Sequence, residues 1–428
     1  MSTQTRRTFL QTGTLAAAAA LSPYAFGADE KEPLKNADRE LRVAVVGTGR
    51  GMGHVAAILK APKTKLMYLC DVDSKRLETG MKAVAAKNVD SPVPIADLRR
   101  ALDDTSLDAI FIAACNHWHA PAAIMACAAG KHVYVEKPGS HNAWEAQKIV
   151  EAARKHQRTV QLGTQRRSWP ALIEAVAKLR AGAIGKVLYA RAWYNNARPT
   201  IGKGKPVPVP DTLNYDLWQG PAPERPYKDN LVHYNWHWHW HWGGGELANN
   251  GPHALDVARW GLGVDLPKTI SYVGGRYHYD DDQETPDTGT AQYDFGDVGI
   301  SWNCSSCHPR REEKQPFCIF YGKDGTLHIT NDGYVTYDLK GEKTGGASGR
   351  SGDQDHIENF LNCVRSGEKP NAEIEIGQTS ILMCHLGNIA YRTGRTLHFD
   401  PVKKMIINDA EAMTYWKREY RPGWEPKV

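Results

Sequence analysis

The most constraining feature of this chain is a strand, a glycine-rich turn and a helix that follow one another without interruption. A β-branched run at residues 42–46 leads into Gly47-Thr48-Gly49-Arg50-Gly51-Met52-Gly53, and an apolar helical stretch follows at residues 55–59. Glycines let the backbone turn sharply and approach a pyrophosphate, whose charge then lies at the helix N-terminus. The residues expected at the phosphates are Gly47, Gly49, Arg50, Gly51 and Met52, the last in place of the usual third glycine.

The alternation of strands and helices continues beyond this turn. Strand-like runs at residues 65–70, 109–113, 132–135 and 160–162 are separated by longer helical stretches. Strands that alternate with helices form parallel βαβ units. We therefore assign residues 38–160 to a Rossmann NAD(P)-binding domain.

Asp71 follows the second strand and bears on the choice of cofactor. A carboxylate at that place can accept hydrogen bonds from both ribose hydroxyls of the adenosine and would repel the extra phosphate of NADP. NAD is therefore favoured, while Lys75 and Arg76 leave NADP open. A second interpretation of Asp71 is the N-cap of the next helix, and the two roles are compatible.

The pattern changes after residue 160. Helical stretches at residues 172–181, 356–365 and 376–392 surround alternating strand-like runs, which begin with a long one at residues 187–194 and continue to residue 337. Such runs with turn residues between them predict an antiparallel sheet. Residues 161–428 are therefore assigned to a C-terminal α+β domain with a large open, mainly antiparallel sheet. Residues 202–226, which are rich in proline, are predicted to be a structureless loop.

The N-terminus predicts export. Thr5-Arg6-Arg7-Thr8-Phe9-Leu10 precedes an alanine-rich apolar run and small residues near Ala28, so residues 1–28 have the order of a twin-arginine signal peptide. A periplasmic or otherwise exported protein is expected, and the mature form is expected to be independent of a membrane because no later apolar run is long enough to cross one. The formal net charge of +5 gives no indication of a nucleic-acid partner.

The eight cysteines are scattered through segments that are predicted to be core, which does not suggest a disulfide framework. The exception is Cys304-Ser305-Ser306-Cys307-His308, which matches the attachment pattern of c-type haem or half of a metal site. Two cysteines in a strand and a loop are the simpler interpretation, and we assign neither haem nor metal.

Separated motifs in a fixed order carry a family resemblance. Asn116-His117-Trp118-His119 follows the predicted strand at residues 109–113, and Glu136-Lys137-Pro138 follows the run at residues 132–135. Gly163-Thr164-Gln165-Arg166-Arg167, residues 216–221 and residues 243–256 complete the set. From about residue 40 to its end the chain resembles the family of glucose-fructose oxidoreductase, inositol dehydrogenase and MocA.

The resemblance implies a nicotinamide-dependent oxidoreductase acting on a sugar or polyol. It places Lys137 against both the nicotinamide and a substrate hydroxyl, and it implies a cis Lys137-Pro138 peptide bond. Arg166 is expected to bind an oxygen of cofactor or substrate. The further cofactor-binding residues are Asn116, His119, Glu136 and Gln165. A homodimer or homotetramer is also implied.

A second family motif falls on residues 249–256. If that segment is one helix, Asn249, His253 and Asp256 share a face, since separations of three and four residues coincide there. The resemblance makes His253 the general base for the hydroxyl proton. Many relatives have aspartate where this chain has Asn249, and an amide cannot raise the basicity of a histidine as a carboxylate does. Asp256 is therefore a candidate to orient His253 instead.

A run of alternating tryptophan and histidine, residues 233–242, precedes three glycines. If it is extended, His237, His239 and His241 lie on one face, but three imidazoles on one straight strand cannot easily converge on a single metal ion. We therefore predict a sugar-binding wall with Trp240 and His241 against the substrate, and no metal.

An exported enzyme meets little free NAD, so a dehydrogenase that released reduced cofactor would stop after one turnover. Retained cofactor and redox-neutral chemistry are therefore expected. The first hypothesis is a sugar oxidoreductase that exchanges reducing equivalents between two substrates. The alternatives are an NAD-dependent glycoside-cleaving enzyme that oxidises, eliminates and re-reduces, and a binding protein without catalysis.

Overall fold

The computed structural model describes residues 38–428. The segment interpreted as a twin-arginine signal, residues 1–28, lies outside the described part of the chain. Within residues 38–428 no helix is long and apolar enough to cross a membrane.

The first domain is a six-stranded parallel sheet with helices between its strands. Its elements are β1 Leu41–Val46, α1 Gly51–Ile58, β2 Thr64–Cys70, α2 Ser74–Ala85, β3 Val93–Ile95, α3 Arg99–Leu102, β4 Ala109–Ile112, α4 Asn116–Ala128, β5 His132–Val135, α5 Ala143–Lys155 and β6 Val160–Leu162. The strand order is β3-β2-β1-β4-β5-β6. The order reverses between β1 and β4, and ligands bind at such a switch point, beyond the carboxyl ends of the strands.

The second domain is built on a ten-stranded sheet. Its elements are α6 Pro170–Arg180, β7 Val187–Asn195, α7 Tyr215–Gln219, α8 Gly245–Asn249, α9 Gly251–Leu262, β8 Thr269–Gly275, β9 Thr288–Asp294, β10 Gly299–Ser305, β11 Cys318–Gly322, β12 Gly325–Ile329, β13 Gly333–Asp338, β14 Lys343–Ser348, α10 Asp353–Ser366, α11 Ile374–Thr393, β15 Leu397–Asp400, β16 Met405–Ile406 and α12 Ala410–Thr414. The strand order is β14-β13-β12-β11-β7-β10-β9-β8-β15-β16.

The predicted fold class is confirmed. Within the ten-stranded sheet β7 and β10 pair in parallel, and the other pairs are antiparallel. Strands β1 and β4 are almost wholly buried, as expected for a parallel sheet covered on both faces.

Two helices of the second domain also complete the first. Ile357, Phe360 and Leu361 of α10 join the apolar core formed by β1, β2, β4 and α1. Helix α11 contributes Ile374 and Ile381 to the core on the other side of the same sheet. The Rossmann sheet is therefore covered partly by residues more than two hundred positions away in the sequence. A domain boundary at residue 160 assigns these residues to the other domain.

The proline-rich segment differs from the prediction. Residues 202–226 are not structureless, because they contain the short helix α7, whose Asn214 caps the N-terminus through a hydrogen bond from the Leu217 amide. Tyr215 and Trp218 of α7 are buried in a small aromatic core together with Trp236 and Trp242. In the segment that matches the haem attachment pattern, Cys304 lies in β10, and Cys304 and Cys307 are both buried free thiols.

Candidate functional site

A cavity of about 740 Å³ lies at the carboxyl ends of the parallel strands and extends to the second domain. Twelve of the predicted site residues line it: Gly47, Gly49, Arg50, Asp71, Asn116, His119, Glu136, Lys137, Gln165, Arg166, Asn249 and His253. Five others, Gly51, Met52, Trp240, His241 and Asp256, are not among the lining residues. The structure thus brings together motifs that are far apart in the sequence.

The glycine-rich turn has the geometry of a phosphate cradle. Gly47 has φ +90°, and a Cβ there would lie 2.5 Å from the Ala113 carbonyl oxygen, so no other residue fits. Within the described chain the backbone amides of Gly49 and Arg50 donate to no protein acceptor, and they precede the N-terminus of α1. Free amides at a helix N-terminus attract an anionic group.

Two residues of the turn, Gly51 and Met52, also have packing roles. A Cβ on Gly51 would lie 3.0 Å from Val45 Cγ1, so this glycine lets α1 approach β1. The sulfur of Met52 lies against Gly80 of α2, within a hydrophobic cluster. Both side-chain positions face the core, so the predicted phosphate contacts of these two residues concern their backbone.

Asp71 lies at the end of β2 and borders the cavity. Its Oδ2 accepts hydrogen bonds from the Thr48 amide at 2.8 Å and the Thr48 hydroxyl at 2.6 Å. The helix cap is a different residue, since Asp73 accepts from the amides of Lys75 and Arg76 at the start of α2. The alternative in which Asp71 is the N-cap is therefore wrong. Arg76 lines the same end of the cavity.

Lys137 follows β5, and its peptide bond to Pro138 is cis. The ammonium donates to both the backbone oxygen and the Oδ1 of Asn249, each at 2.8 Å. Burial lowers the pKa of Lys137, although the carboxylate of Glu136 acts in the opposite direction. A lysine amine held at the cavity wall with a lowered pKa is suited to proton transfer.

Glu136 is the centre of a buried polar network beneath the lysine. Its Oε1 accepts from Gln165 Nε2 at 3.0 Å and from Arg50 Nε at 3.2 Å, and His54 Nε2 lies 3.1 Å away. Burial alone would raise the pKa of Glu136, but His54 and Arg50 more than offset this and hold it below its ordinary value. The Glu136 carboxylate thus holds the side chains of Arg50 and Gln165 at the cavity wall.

Asn116 and His119 belong to the first turn of α4, at the carboxyl end of β4. His119 Nε2 lies 2.9 Å from the Ala114 carbonyl oxygen, and its Nδ1 accepts from the Gly139 amide at 3.2 Å. Burial lowers the pKa of His119 to about 4. His119 therefore ties the two loops that follow β4 and β5 to each other beside the cavity.

The segment that carries Asn249 and His253 is not one helix. Helix α8 ends at Asn249 and α9 begins at Gly251, so the expected spacing along one face is interrupted. His253 lines the cavity, and its ring nitrogens form no hydrogen bond within residues 38–428. Burial and then the charge of Lys137 lower the pKa of His253 to about 3. The imidazole is therefore neutral at physiological pH and available to a ligand.

Asp256 does not orient His253, which corrects the prediction of a catalytic role. Its two oxygens accept from Arg167 Nε and Nη2, both at 2.8 Å, and Oδ1 also accepts from the Ser380 hydroxyl at 2.6 Å. Asp256 is completely buried, and Arg167 nearly so. Its ion pair with Arg167 joins α9 to the turn after β6, and its hydrogen bond from Ser380 joins α9 to α11.

Arg166 presents an unpaired guanidinium at the cavity. Its central carbon lies 3.7 Å from the centre of the Phe317 ring and 4.4 Å from that of Trp169. The Nη1 atom is buried and has no hydrogen-bond partner among the described residues. Burial lowers the pKa of Arg166 to about 10.

The tryptophan and histidine run is not extended, and Trp240 and His241, which were predicted to contact the substrate, do not line the cavity. Residues Asn235–Trp238 form a 3₁₀ turn. His241 Nε2 lies 2.7 Å from the Pro223 carbonyl oxygen, and Trp240 packs by Arg392. Within residues 38–428 no group of His, Cys, Asp or Glu side chains is arranged to hold a metal ion.

Other aromatic residues line the cavity in their place. They are Trp118, Trp169, Trp193, Tyr194, Trp218, His233, Tyr234, Trp236, His237 and Phe317. Four of these belong to the run at residues 233–242, but they are not the two residues that were predicted to contact the substrate. Trp193 and Phe317 come from β7 and from the approach to β11, and no local pattern distinguishes them from core residues.

A long connection between β7 and α8 of the second domain closes one side of the cavity. We call residues 199–242 the strap. Its Asn214 amide donates to the Val72 carbonyl oxygen at 2.9 Å, and its Thr212 oxygen accepts from the Ser74 amide at 2.8 Å. The Trp118 indole donates to the Trp218 carbonyl oxygen at 3.1 Å. The strap is thereby fastened to α2 and α4, next to Asp71.

The geometry of the site by itself fits a dinucleotide. The Gly47 turn and the free amides suit the pyrophosphate, Asp71 suits a ribose, and Lys137 marks the reacting end. These residues lie along one cavity, which crosses the switch point of the parallel sheet.

Family models match both domains. The model of an oxidoreductase family with an NAD-binding Rossmann fold matches residues 41–164. The model of the C-terminal alpha/beta domain of an oxidoreductase family matches residues 192–290 and 349–426.

Individual relatives are similar over smaller shares. A glycosyl hydrolase family 109 protein from Parabacteroides distasonis is 25% identical over 329 residues, which are 70% of this chain and 68% of that protein. An inositol 2-dehydrogenase from Acidothermus cellulolyticus is 33% identical over 162 residues, which are 37% of this chain and 46% of that protein. The chain thus matches less than half the length of the second relative.

Two solved structures share the fold. The aldose-aldose oxidoreductase from Caulobacter crescentus, complexed with glycerol, has a TM-score of 0.65 at 18% identity, covering 84% of this chain and 100% of that one. The WlbA dehydrogenase from Bordetella pertussis, in complex with NADH and UDP-GlcNAcA, has a TM-score of 0.64 at 19% identity, covering 85% and 99%.

Proposed function

Because the chain belongs to the Gfo/Idh/MocA oxidoreductase family, we propose that it is an NAD(P)-dependent oxidoreductase acting on a hydroxyl of a sugar, polyol or glycoside. The observation that carries the proposal is Lys137, whose amine is held by Asn249 at the wall of a cavity that begins at a phosphate cradle. A bound nicotinamide supplies the acceptor for the electron pair of the substrate carbon. The protein's task is then to hold that carbon and remove its hydroxyl proton.

Lys137 is the residue placed to take that proton. Burial lowers its pKa, which increases the fraction of neutral amine able to accept it. Asn249 holds the Nζ atom through two oxygens and carries no charge, so it does not oppose this shift as a carboxylate would. His253 is neutral and without a protein partner, which suits it to a hydrogen bond with a neighbouring substrate hydroxyl.

Purified protein provides the test of this function. We expect protein prepared without added cofactor to release NAD(H) on denaturation, and the intact protein to gain the absorbance of reduced nicotinamide when incubated with a reactive sugar. The same experiment identifies the cofactor. Asp71 supports NAD, and Arg76 at the same end of the cavity keeps NADP as the second candidate. A protein that binds neither dinucleotide would refute the proposal.

Retention of the cofactor is the next part of the proposal. The strap closes the cavity beside Asp71, and Trp218 on it packs 5.5 Å from both Tyr215 and Trp242, between ring centres. Because this wall must move before a dinucleotide can leave, we expect slow dissociation.

Replacement of Trp218 tests the strap. Trp218→Ala should increase the dissociation rate of the dinucleotide at least about tenfold, which corresponds to about 1.4 kcal/mol of lost contact. Trp218→Phe keeps an aromatic ring, so its dissociation rate should be closer to that of the wild type. It also controls for misfolding of the alanine variant. Trp240→Ala is the matched control, since that indole does not line the cavity. Equal dissociation rates in all three variants, measured by fluorescence of the bound reduced cofactor, would contradict a retaining role.

We propose that the protein is exported through the twin-arginine pathway, which would explain why it retains its cofactor. A periplasmic protein with a retained cofactor must re-oxidise it on a second substrate or within one catalytic cycle. The similarity to a glycosyl hydrolase family 109 protein favours the second possibility as an alternative function, in which a glycoside is oxidised, cleaved by elimination and re-reduced. Release of an aglycone without net formation of reduced cofactor would distinguish it.

We also propose a homodimer or homotetramer. One face of the ten-stranded sheet packs on α6, α9 and α11. The alternate positions of the strands place Tyr189, Val273 and Tyr321 on the opposite face, where Val273 is 76% exposed. Because the helices cover only one face of the sheet, the opposite face is the candidate surface for contact with a second copy.

A further inference from the structure

The charge balance of the cavity is uneven. Arg50 pairs with Glu136, Arg167 with Asp256, and Arg198 with Glu246. Within residues 38–428 Arg166 forms no ion pair within 4.0 Å and its buried Nη1 has no hydrogen-bond partner; the Asp353 carboxylate, which also lines the cavity, acts on its charge only from a longer distance. Lys137, the other cation at this end, is bound only by the neutral Asn249.

An unpaired guanidinium at a partly buried place is costly. Burying a charge without a partner is unfavourable, and buried charges in proteins are normally paired. Here burial already lowers the pKa of Arg166 to about 10. The stacking on Phe317 and Trp169 satisfies the ring-facing surface of the guanidinium but not its N–H groups. The missing partner is therefore an anion that enters the cavity.

The cofactor phosphates do not provide that anion. Arg166 follows β6, which is three strands from β1 in the sheet. At about 4.8 Å per strand the two strand ends are roughly 14 Å apart, whereas the phosphate cradle is the turn after β1. Arg166 instead neighbours Phe317, which belongs to the second domain, and its charge acts on His253. The anion belongs on the substrate side.

We propose that the substrate is a sugar acid, and that Arg166 binds its carboxylate. This inference rests on the proposed function for the identity of the site and adds the chemical class of the substrate. A planar guanidinium matches a carboxylate through paired N–H donors, which favours a uronic or aldonic acid over a neutral sugar.

Matched sugars test the preference directly. The probes are glucose against glucuronate, galactose against galacturonate, and glucose 6-phosphate as a non-planar anion. We expect kcat/KM for the acids to exceed that for the neutral sugars at least about tenfold. In Arg166→Gln the two values of kcat/KM should become similar, while the dissociation constant for NAD stays within about threefold. Arg166→Lys should retain part of the ratio. Arg180→Gln, an exposed arginine at the end of α6, is the control.

The outcomes separate this inference from the proposed function. Equal turnover of acids and neutral sugars, or a preference for the phosphate ester, would overturn the carboxylate site while the redox function stands. A loss of NAD affinity in Arg166→Gln with an unchanged acid preference would assign Arg166 to the cofactor and also overturn it. If no sugar is oxidised, the proposed function fails. Calorimetric binding of glucuronate and glucose then tests whether Arg166 binds a carboxylate. Selective binding of glucuronate that Arg166→Gln abolishes supports it, and its absence refutes it.

Discussion

Lys137→Met should lower kcat by about 10²- to 10⁴-fold, the range that a positioned acid or base contributes. Methionine keeps much of the length and apolar volume of the side chain but cannot accept a proton. Dinucleotide affinity should change little, because the phosphate cradle and Asp71 lie at the other end of the cavity. Stopped-flow measurement of cofactor reduction gives kcat, and fluorescence titration gives the affinity.

Two further variants make this result specific. Lys178→Met replaces an exposed lysine on α6 and should leave kcat unchanged. Asn249→Asp places a carboxylate next to the Lys137 ammonium, which should raise the pKa of Lys137 and move the rise of kcat to higher pH. Unchanged kcat in Lys137→Met would contradict the assigned proton transfer. A fall in affinity equal to the fall in kcat would indicate a binding role instead.

The N-terminal half of the site follows from local sequence. The glycine turn, Asp71 and the Glu136-Lys137-Pro138 motif each come directly after a buried strand, and parallel topology brings the carboxyl ends of those strands together. Local pattern and tertiary structure agree there. The exact packing roles of Gly51 and Met52 depend on how closely α1 and α2 approach the sheet, which a motif does not specify.

The second half was less predictable for identifiable reasons. A period of two in the tryptophan and histidine run indicates a strand, but burial of Trp236, Trp238 and Trp242 in aromatic clusters imposes a 3₁₀ turn instead. The break between α8 and α9 at Asn250 is equally invisible in helical periodicity. Arg166 and Phe317 meet only because β6 and β11 belong to adjoining sheets.

Asp256 shows how a motif residue can serve stability and not chemistry. Asp256→Ala should lower the free energy of unfolding by about 3–5 kcal/mol, because it leaves the guanidinium of Arg167 buried without its partner. Arg167 is 6% exposed and Asp256 is 0% exposed, so water cannot replace the lost contact. The urea midpoint of the purified protein measures the change, with cofactor absent so that binding does not mask it.

A neighbouring ion pair provides the comparison. Asp265 pairs with Arg259 at 3.3 Å but is 94% exposed, so Asp265→Ala should change the free energy of unfolding by less than about 1 kcal/mol. Replacing both partners of the buried pair, Arg167→Met with Asp256→Leu, should recover part of the loss, because no charge then stays buried. If Asp256→Ala instead kept wild-type stability and altered the pH dependence of kcat, the carboxylate would be acting through His253, contrary to its bonds to Arg167 and Ser380.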